Sequence, residues 1–277
     1  MSNRLQLAGN PVVISGAASG IGRALAQRLS ELGSPVAITD WNTEGLKETA
    51  ASLPGPVLAK VLDVSDNEAQ LEWAGQVRDW LPAPLAAVFN NAGVAVNNTV
   101  AEGKLEDELW LDGINFHGVV YGTKAFLPIL LEQKAGAVVN TSSVYGLAAM
   151  PGNAAYSASK FAVRGYTDAL RQELRGTGVR AVNIHPGGIK TNIARNARVA
   201  DGVDLEALAR RFERVAMTTP EVAASIIHKG VDGGLARILI GIDAHVFDAV
   251  TRITPTYYFE LLGLGVGAIS RIRKLLP

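Results

Sequence analysis

The chain has 277 residues, of which 48% are hydrophobic and 19% are charged, so it has ample apolar material for a core and too little charge for wholesale disorder. Its 26 basic residues balance its 26 acidic ones, and a net charge of zero gives no general attraction to nucleic acid. The lack of cysteine excludes disulfides, thiolate catalysis and cysteine-ligated zinc, and it is typical of a reducing compartment such as the cytoplasm.

Short β-rich runs alternate with helical segments along the chain. Strands are predicted at residues 12–15, 35–39, 57–62, 85–90, 137–142, 179–185 and 237–242. Several of these runs are continuously apolar, which suits strands that are buried on both faces of a parallel sheet. Helix-length segments lie between them, so the pattern predicts one α/β domain with a doubly wound parallel sheet of about seven strands. Neither a signal peptide nor a membrane-spanning run is expected.

A glycine-rich turn joins the first predicted strand to the first predicted helix. It contains Gly16, Gly20 and Gly22, and glycine permits both a tight turn and the close approach of a ligand. The N-terminus of the following helix offers free N–H groups and a positive dipole end to a pyrophosphate. Such a triplet also occurs in ordinary turns, but its place in the first βαβ unit favours dinucleotide binding.

The second predicted strand ends at Asp40, about 20 residues beyond the glycine turn. A carboxylate at this place accepts hydrogen bonds from the adenosine ribose hydroxyls and repels a 2′-phosphate. The next residue is Trp41 rather than a cation, so the sequence favours NAD over NADP. In the alternative interpretation, Asp40 caps the helix that starts near Thr43.

Tyr156 and Lys160 lie four residues apart at the start of a long helical segment and therefore share a helix face. A unit charge at ~4 Å contributes about 4 kcal/mol at an effective dielectric constant of 20, enough to lower a phenol pKa by 2–3 units. This spacing allows a lysine to activate a tyrosine. Taken alone, it is more typical of a half-buried tyrosine beside a surface lysine.

Together with these residues, further motifs resemble the short-chain dehydrogenase/reductase family between residues 15 and 191. Ser15 takes the place of the usual threonine before the glycine motif, and Ser143 lies 13 residues before Tyr156, at the family's catalytic serine position. The other matching positions are Asp63, Val64, Asn90, Asn91, Ala92, Gly93, Asn115, Pro186, Gly187, Ile189 and Thr191.

The resemblance implies a Rossmann-like fold and NAD(P)-dependent alcohol and carbonyl chemistry. In the implied mechanism, Tyr156 exchanges a proton with the substrate and Ser143 stabilises the reacting oxygen. Lys160 lowers the tyrosine pKa and holds the nicotinamide ribose, and Asn115 links Lys160 to solvent through a backbone break and a water. The implied cofactor-binding residues are Gly16, Ser19, Gly20, Ile21, Gly22, Asp40, Trp41, Asp63, Val64, Asn91, Ala92, Gly93, Tyr156, Lys160, Pro186, Gly187, Ile189 and Thr191.

The resemblance also places a substrate pocket beside the catalytic residues. Its expected lining is Val94, Ala95, Ser143, Tyr145, Leu147, Met150 and Tyr156. This set is mainly apolar, so it favours a bulky hydrophobic substrate over a charged sugar. The four histidines form no metal-binding pair, and we expect no metal; His185 is interpreted as a structural residue.

The C-terminal part departs from the usual family ending. Residues 1–242 are predicted to form the catalytic domain, with a polar insertion near 192–219, and residues 243–277 a helical extension. The extension combines apolar residues around Tyr257 with a basic cluster at 271–274. It is interpreted first as an oligomer contact, then as a lid over the substrate cleft, and third as a membrane-surface segment.

The sequence thus predicts a cytoplasmic, NAD-dependent oxidoreductase that interconverts a secondary alcohol and a ketone on a bulky hydrophobic substrate. We expect a homodimer or homotetramer with no nucleic-acid partner. Two alternatives stay open. One is a nucleotide-binding regulatory or redox-sensing protein on the same fold. The other is a membrane-peripheral reductase of a lipid, retinoid or steroid.

Overall fold

The computed structural model of the protein describes residues 5–262. Its strands are β1 (Val12–Ser15), β2 (Val36–Asp40), β3 (Val57–Val61), β4 (Ala87–Asn90), β5 (Val96–Asn97), β6 (Gly136–Thr141), β7 (Val179–Pro186), β8 (Arg198–Val199) and β9 (Arg237–Ile240). Its α-helices are α1 (Gly20–Glu31), α2 (Thr43–Ser52), α3 (Asn67–Trp80), α4 (Leu105–Asp112), α5 (Gly118–Gln133), α6 (Ala154–Glu173), α7 (Leu205–Val215), α8 (Pro220–Asp232) and α9 (Ile242–Ile253).

Seven of these strands form one parallel sheet in the order β3-β2-β1-β4-β6-β7-β9. The chain starts in the middle, runs outward to β3 and then returns to build the other half from β4. The order reverses between β1 and β4, and in such sheets ligands bind in the crevice at the carboxyl ends of the strands at this point. The doubly wound, Rossmann-like fold predicted from the sequence is therefore confirmed.

Helices cover both faces of the sheet, which explains the continuously apolar strands. Ile14 of β1 is buried in the same cluster as Leu25 of α1 and Ile227 of α8. The neighbouring Val13 points to the opposite face, in a cluster with Phe126 of α5. Because successive side chains of a strand point to opposite faces, a strand between two helical layers needs an apolar residue at every position.

The predicted strands agree with the observed ones to within two residues at each end, and the differences have local causes. The last strand ends at Ile240 rather than at 242 because Gly241 adopts a φ of +96° and α9 begins at Ile242. A second, two-stranded sheet of β5 and β8 was not predicted, since two residues per strand carry no periodic signal. It joins the 192–219 segment to the chain just after β4.

After α9, the chain turns at 255–257 and becomes helical again from Tyr258 to Leu262. The predicted basic cluster at 271–274 lies outside the described residues. Among the helices of residues 5–262, none combines the length and apolarity that a membrane crossing requires.

Candidate active site

The glycine turn between β1 and α1 has the shape of a cradle. Gly16 has a φ of +69°, and a Cβ there would lie 2.7 Å from the Cα of Ala92. Gly20 has a φ of +55°, and a Cβ there would lie 2.9 Å from the methyl carbon of Thr191. A side chain at either position would be strained and would displace the neighbouring segment, so this conformation requires glycine.

Ser15 joins the two central strands at the point where the sheet order reverses. Its hydroxyl oxygen accepts hydrogen bonds from the backbone N–H groups of Asn91, at 3.1 Å, and Ala92, at 3.2 Å. The side chain of Asn91 returns a bond of 3.1 Å to the Ser15 carbonyl. The serine thus fixes the segment after β4 against the glycine turn, as a threonine with the same hydroxyl would.

Asp40 is bonded to the glycine turn and does not cap a helix. Its Oδ2 accepts from the backbone N–H of Ala18 at 2.9 Å, and its Oδ1 accepts from that of Asn42 at 2.9 Å. The helix-cap alternative is wrong, since Asn42 caps α2 by accepting from the N–H of Gly45. Each carboxylate oxygen keeps lone-pair capacity for a ribose hydroxyl. Trp41 beside it is 75% exposed.

The pair expected to contact adenine differs in burial. Asp63 is exposed, and its Oδ1 accepts from the N–H and the hydroxyl of Ser65 at 2.9 and 2.7 Å. Val64 is buried and lies against Gly118. Within the glycine turn itself, Ser19 is exposed and precedes α1, whereas Ile21 is only partly buried.

Ser143, Tyr156 and Lys160 converge at the carboxyl end of β6. Ser143 follows β6, and Tyr156 lies in the first turn of α6. The Ser143 hydroxyl lies close enough to Tyr156 to lower the pKa of the phenol, and it accepts from the N–H of Tyr145 at 3.1 Å. The Lys160 ammonium lies 5.7 Å from the centre of the tyrosine ring and donates to the carbonyl of Thr141 at 3.1 Å. The structure thus brings the predicted catalytic residues together.

Burial dominates the protonation of these residues. It raises the pKa of Tyr156 to about 12, against a smaller lowering by the hydrogen bond from Ser143. Burial also lowers the pKa of Lys160 to about 8. No lowering of the tyrosine pKa by Lys160 is seen in the structure, in which the ammonium lies 5.7 Å from the centre of the phenol ring. Lys160 is nevertheless mostly protonated at pH 7.

Asn115 lies in a π-helix, Gly113–His117, which interrupts the path from α4 to α5 and is the backbone break expected there. Its side chain is fully buried and pairs with both backbone groups of Val94, at 2.8 and 3.0 Å. A Cβ on Gly93 would lie 3.2 Å from Asn115 Oδ1 and 3.3 Å from the Lys160 ammonium. Gly93 therefore lies between the Asn115 amide and the Lys160 ammonium, the two polar groups of the expected proton path, and its lack of a side chain leaves the space between them open.

The expected pocket residues lie on two segments beside Tyr156. Tyr145 packs edge-to-face against Tyr156, with 5.8 Å between ring centres. Leu147 is buried and Met150 is partly buried. The other two expected lining residues, both partly buried, are Val94 and Ala95.

The segment expected to hold the nicotinamide crosses back toward the glycine turn. Its Gly187 N–H donates to the carbonyl of Ile240 at 2.9 Å. Pro186 ends β7 and Ile189 is buried. Thr191 places its methyl group against Gly20.

Three residues outside the sequence motifs also support the site. His185, interpreted as structural, is fully buried, and its Nδ1 donates to the carbonyl of Ser143 at 3.1 Å. Arg164 donates to the carbonyl of Gly146 at 3.2 Å, and Asp243 accepts from the N–H of Gly188 at 2.6 Å. Their partners are backbone atoms, so no pairing of side-chain types in the sequence indicated these contacts.

Fold and site together define the class of protein. A doubly wound sheet with a glycine cradle at its reversal point, and with serine, tyrosine and lysine beside it, is the arrangement of a dinucleotide-dependent oxidoreductase. The chain belongs to the short-chain dehydrogenase/reductase family, since the short chain dehydrogenase model matches residues 10–202. It is an oxidoreductase of that family.

Among curated relatives, the chain is 45% identical to the oxidoreductase SadH of Mycobacterium tuberculosis over 264 residues, which cover 93% of this chain and 95% of the relative. It is 37% identical to the meso-2,3-butanediol dehydrogenase of Serratia marcescens over 220 residues, which cover 78% of this chain and 84% of the relative. The family assignment therefore extends over most of both proteins.

Among solved structures, a short-chain dehydrogenase/reductase from Burkholderia phymatum in complex with NAD has a TM-score of 0.82 and 27% identity, with 92% of this chain and 96% of that chain covered. Serine dehydrogenase complexed with NADP⁺ has a TM-score of 0.74 and 26% identity, with 83% of this chain and 94% of that chain covered. Related structures thus hold either dinucleotide.

Proposed function

We propose that the protein is an NAD-dependent oxidoreductase that interconverts a secondary alcohol and a ketone on a bulky, largely hydrophobic substrate. The observation that carries this proposal is the convergence of Ser143, Tyr156 and Lys160 beside the glycine cradle. A protein that only binds a dinucleotide has no need of a buried phenol close to a serine hydroxyl and a lysine ammonium.

The proton chemistry falls to the chain's own residues. Tyr156 takes the proton of the substrate hydroxyl, or returns it in the reduction, and Ser143 hydrogen-bonds the reacting oxygen. The phenol pKa of about 12 disfavours proton removal at neutral pH, so the site must supply positive charge close to the phenol. Lys160, protonated at pH 7, supplies part of it, and Asn115 joins Lys160 to solvent.

The cofactor would be held along the edge described above. The glycine cradle and the N-terminus of α1 bind the diphosphate, and Asp40 binds the ribose. The segments of Asp63 and Asn91 hold the adenine side, and the segment of Thr191 holds the nicotinamide. When bound, NAD⁺ would supply the acceptor for the hydride that leaves the substrate carbon. NAD is proposed over NADP because Asp40 repels a 2′-phosphate and no cation follows it.

The class of substrate is inferred from the side chains expected to line the substrate pocket and from the substrate named for one relative. Meso-2,3-butanediol, named for one relative, is a secondary alcohol and supports the reaction type. The apolar character of Tyr145, Leu147, Met150 and Val94 supports a larger hydrophobic substrate.

The test is turnover with NAD and with NADP on a series of secondary alcohols, with the ketone reductions measured alongside. The proposal expects activity with at least one hydrophobic alcohol and a preference for NAD of at least about tenfold in kcat/KM. Tight NADH binding with no turnover in either direction would instead support the regulatory or redox-sensing protein. A preference for NADP would contradict the role of Asp40.

A further inference from the structure

The chain beyond β9 contacts the segment expected to hold the nicotinamide. Asp243 lies in the first turn of α9, and its Oδ2 accepts from the N–H of Gly188 at 2.6 Å. Its Oδ1 accepts from the N–H of Ala244 at 3.0 Å. A Cβ on Gly187 would overlap this carboxylate, so the helix start and the 187–188 backbone are in close contact.

The same stretch of chain also contacts the other side of the site. The Tyr258 hydroxyl donates to the carbonyl of Ala149 at 3.1 Å, across 109 residues of sequence. Ala149 lies between Leu147 and Met150, in the segment we call the substrate loop, residues 144–150. Tyr258, five residues beyond the end of α9, is therefore bonded directly to the backbone of that loop on the exposed surface.

Charged residues of β9 and α9 lie near the arginine that holds the start of the substrate loop. Asp248 of α9 accepts from Arg237 at 2.6 Å and from Arg252 at 3.0 Å. Arg164 lies close enough for the charges of all three residues to act on its pKa, which burial lowers. Arg164 in turn donates to the carbonyl of Gly146 in the substrate loop. Arg164 itself pairs with Asp168 of α6 at 3.9 Å, so Asp248 joins α9 to β9 through Arg237 and acts on Arg164 only through its charge.

We propose that residues 242–258 brace the substrate loop against the cofactor segment and that Tyr258 is a specificity-determining positioning residue. This proposal takes its class of substrate, a hydrophobic secondary alcohol, from the proposed function. Tyr258 touches no reacting atom in this scheme. Its hydroxyl fixes Ala149 and so sets where Leu147 and Met150 stand, which limits the size of the substrate.

The proposal predicts a dependence on substrate length. A short alcohol needs only Ser143 and Tyr156 and does not extend to the substrate loop. A long alcohol gains its affinity from apolar side chains of that loop, and loses it when the loop is free to move. The Tyr258 bond should therefore affect KM for long substrates and leave kcat for short ones unchanged.

The experiment compares full-length Tyr258→Phe with Tyr257→Phe, a matched control at a residue that is 66% exposed. Each variant loses one hydroxyl oxygen. Amide hydrogen exchange of peptides that cover residues 144–152 is measured with NADH bound, together with kcat and KM for unbranched 2-alkanols from 2-butanol to 2-decanol. We expect exchange about threefold to tenfold faster in Tyr258→Phe only, the effect of one lost hydrogen bond. KM for 2-decanol should rise by a similar factor, and kcat/KM for 2-butanol should stay within about twofold.

Equal exchange in the two variants would overturn the brace. Faster exchange in Tyr258→Phe with KM unchanged along the series would overturn its role in specificity. Faster exchange in a protein whose wild type oxidises no alcohol would uphold the brace and contradict the proposed function, so the two failures are distinguishable.

Discussion

At the scale of single residues, burial shifts the protonation of the site toward neutral forms. Tyr156 holds its proton to about pH 12, Lys160 becomes neutral near pH 8, and burial lowers the pKa of His185 to about 4. His185 is therefore neutral at pH 7. Because the carbonyl of Ser143 can only accept, the proton of the imidazole lies on Nδ1.

The depressed pKa of His185 predicts a loss of stability in mild acid. The unfolded chain binds a proton at this residue below pH 6.5, whereas the folded chain does so only near pH 4, so stability is lost as the pH falls between these values. Between pH 7 and pH 4.5 the free energy of unfolding should fall by about 2 kcal/mol more in the wild type than in His185→Asn. Denaturant unfolding at the two pH values measures the difference. An equal fall in both proteins would contradict the burial of a neutral imidazole.

Asp40 is predicted to set the choice of dinucleotide. Asp40→Asn removes the charge that repels a 2′-phosphate, so the ratio of NADPH to NADH dissociation constants should fall by about tenfold or more. One of the two N–H groups bound by the carboxylate would lose its acceptor, so stability should also fall, by about 1–3 kcal/mol. The ratio of affinities is insensitive to that loss, because both dinucleotides bind the same variant. An unchanged ratio in fluorescence titrations would argue against contact of Asp40 with the ribose.

At the scale of elements, the site depends on how neighbouring strand ends are joined. Asn90 at the end of β4 donates to the side chain of Asn140 on β6 at 2.8 Å, and Asn140 donates to Thr167 of α6 at 2.9 Å. This buried chain of side-chain bonds links the strand before Asn91 to the helix that carries Tyr156. These hydrogen bonds thereby fix the position of the cofactor side of the site relative to its catalytic side.

The hydrogen bonds of Ser15, which connect β1 to the segment after β4, give a prediction that a second substitution at the same position can control. Ser15→Ala leaves the N–H groups of Asn91 and Ala92 without their acceptor and should lower the free energy of unfolding by about 2 kcal/mol. NADH affinity should fall as well, because the glycine turn loses its support. Ser15→Thr keeps the hydroxyl and should retain both properties. Chemical denaturation and NADH titration of the two variants give the comparison, and equal losses in both would show that the hydroxyl is not the cause.

At the scale of the whole molecule, most of the architecture could be predicted from local patterns. The apolar strands and the intervening helices predicted the doubly wound sheet, and the resemblance to the family predicted that Ser143, Tyr156 and Lys160 would meet. The choice of NAD and the oligomeric state stay predictions.

The contacts missed by sequence reasoning join residues far apart in the chain to backbone atoms. The bonds of His185 to Ser143 and of Tyr258 to Ala149 are of this kind. A carbonyl group occurs at every position, so no residue type signals it as a partner. The phenol pKa was misjudged because burial raises it, and the spacing of Tyr156 and Lys160 does not reveal burial.

The most direct test of the central claim, catalysis by Tyr156, compares Tyr156→Phe with Tyr166→Phe, a control on the same helix that lies outside the site. Turnover of the best secondary alcohol and NADH binding are measured for both variants. We expect a loss of at least about 100-fold in kcat for Tyr156→Phe with NADH affinity retained, and near wild-type values for Tyr166→Phe. Turnover by Tyr156→Phe equal to that of the wild type would contradict the claim.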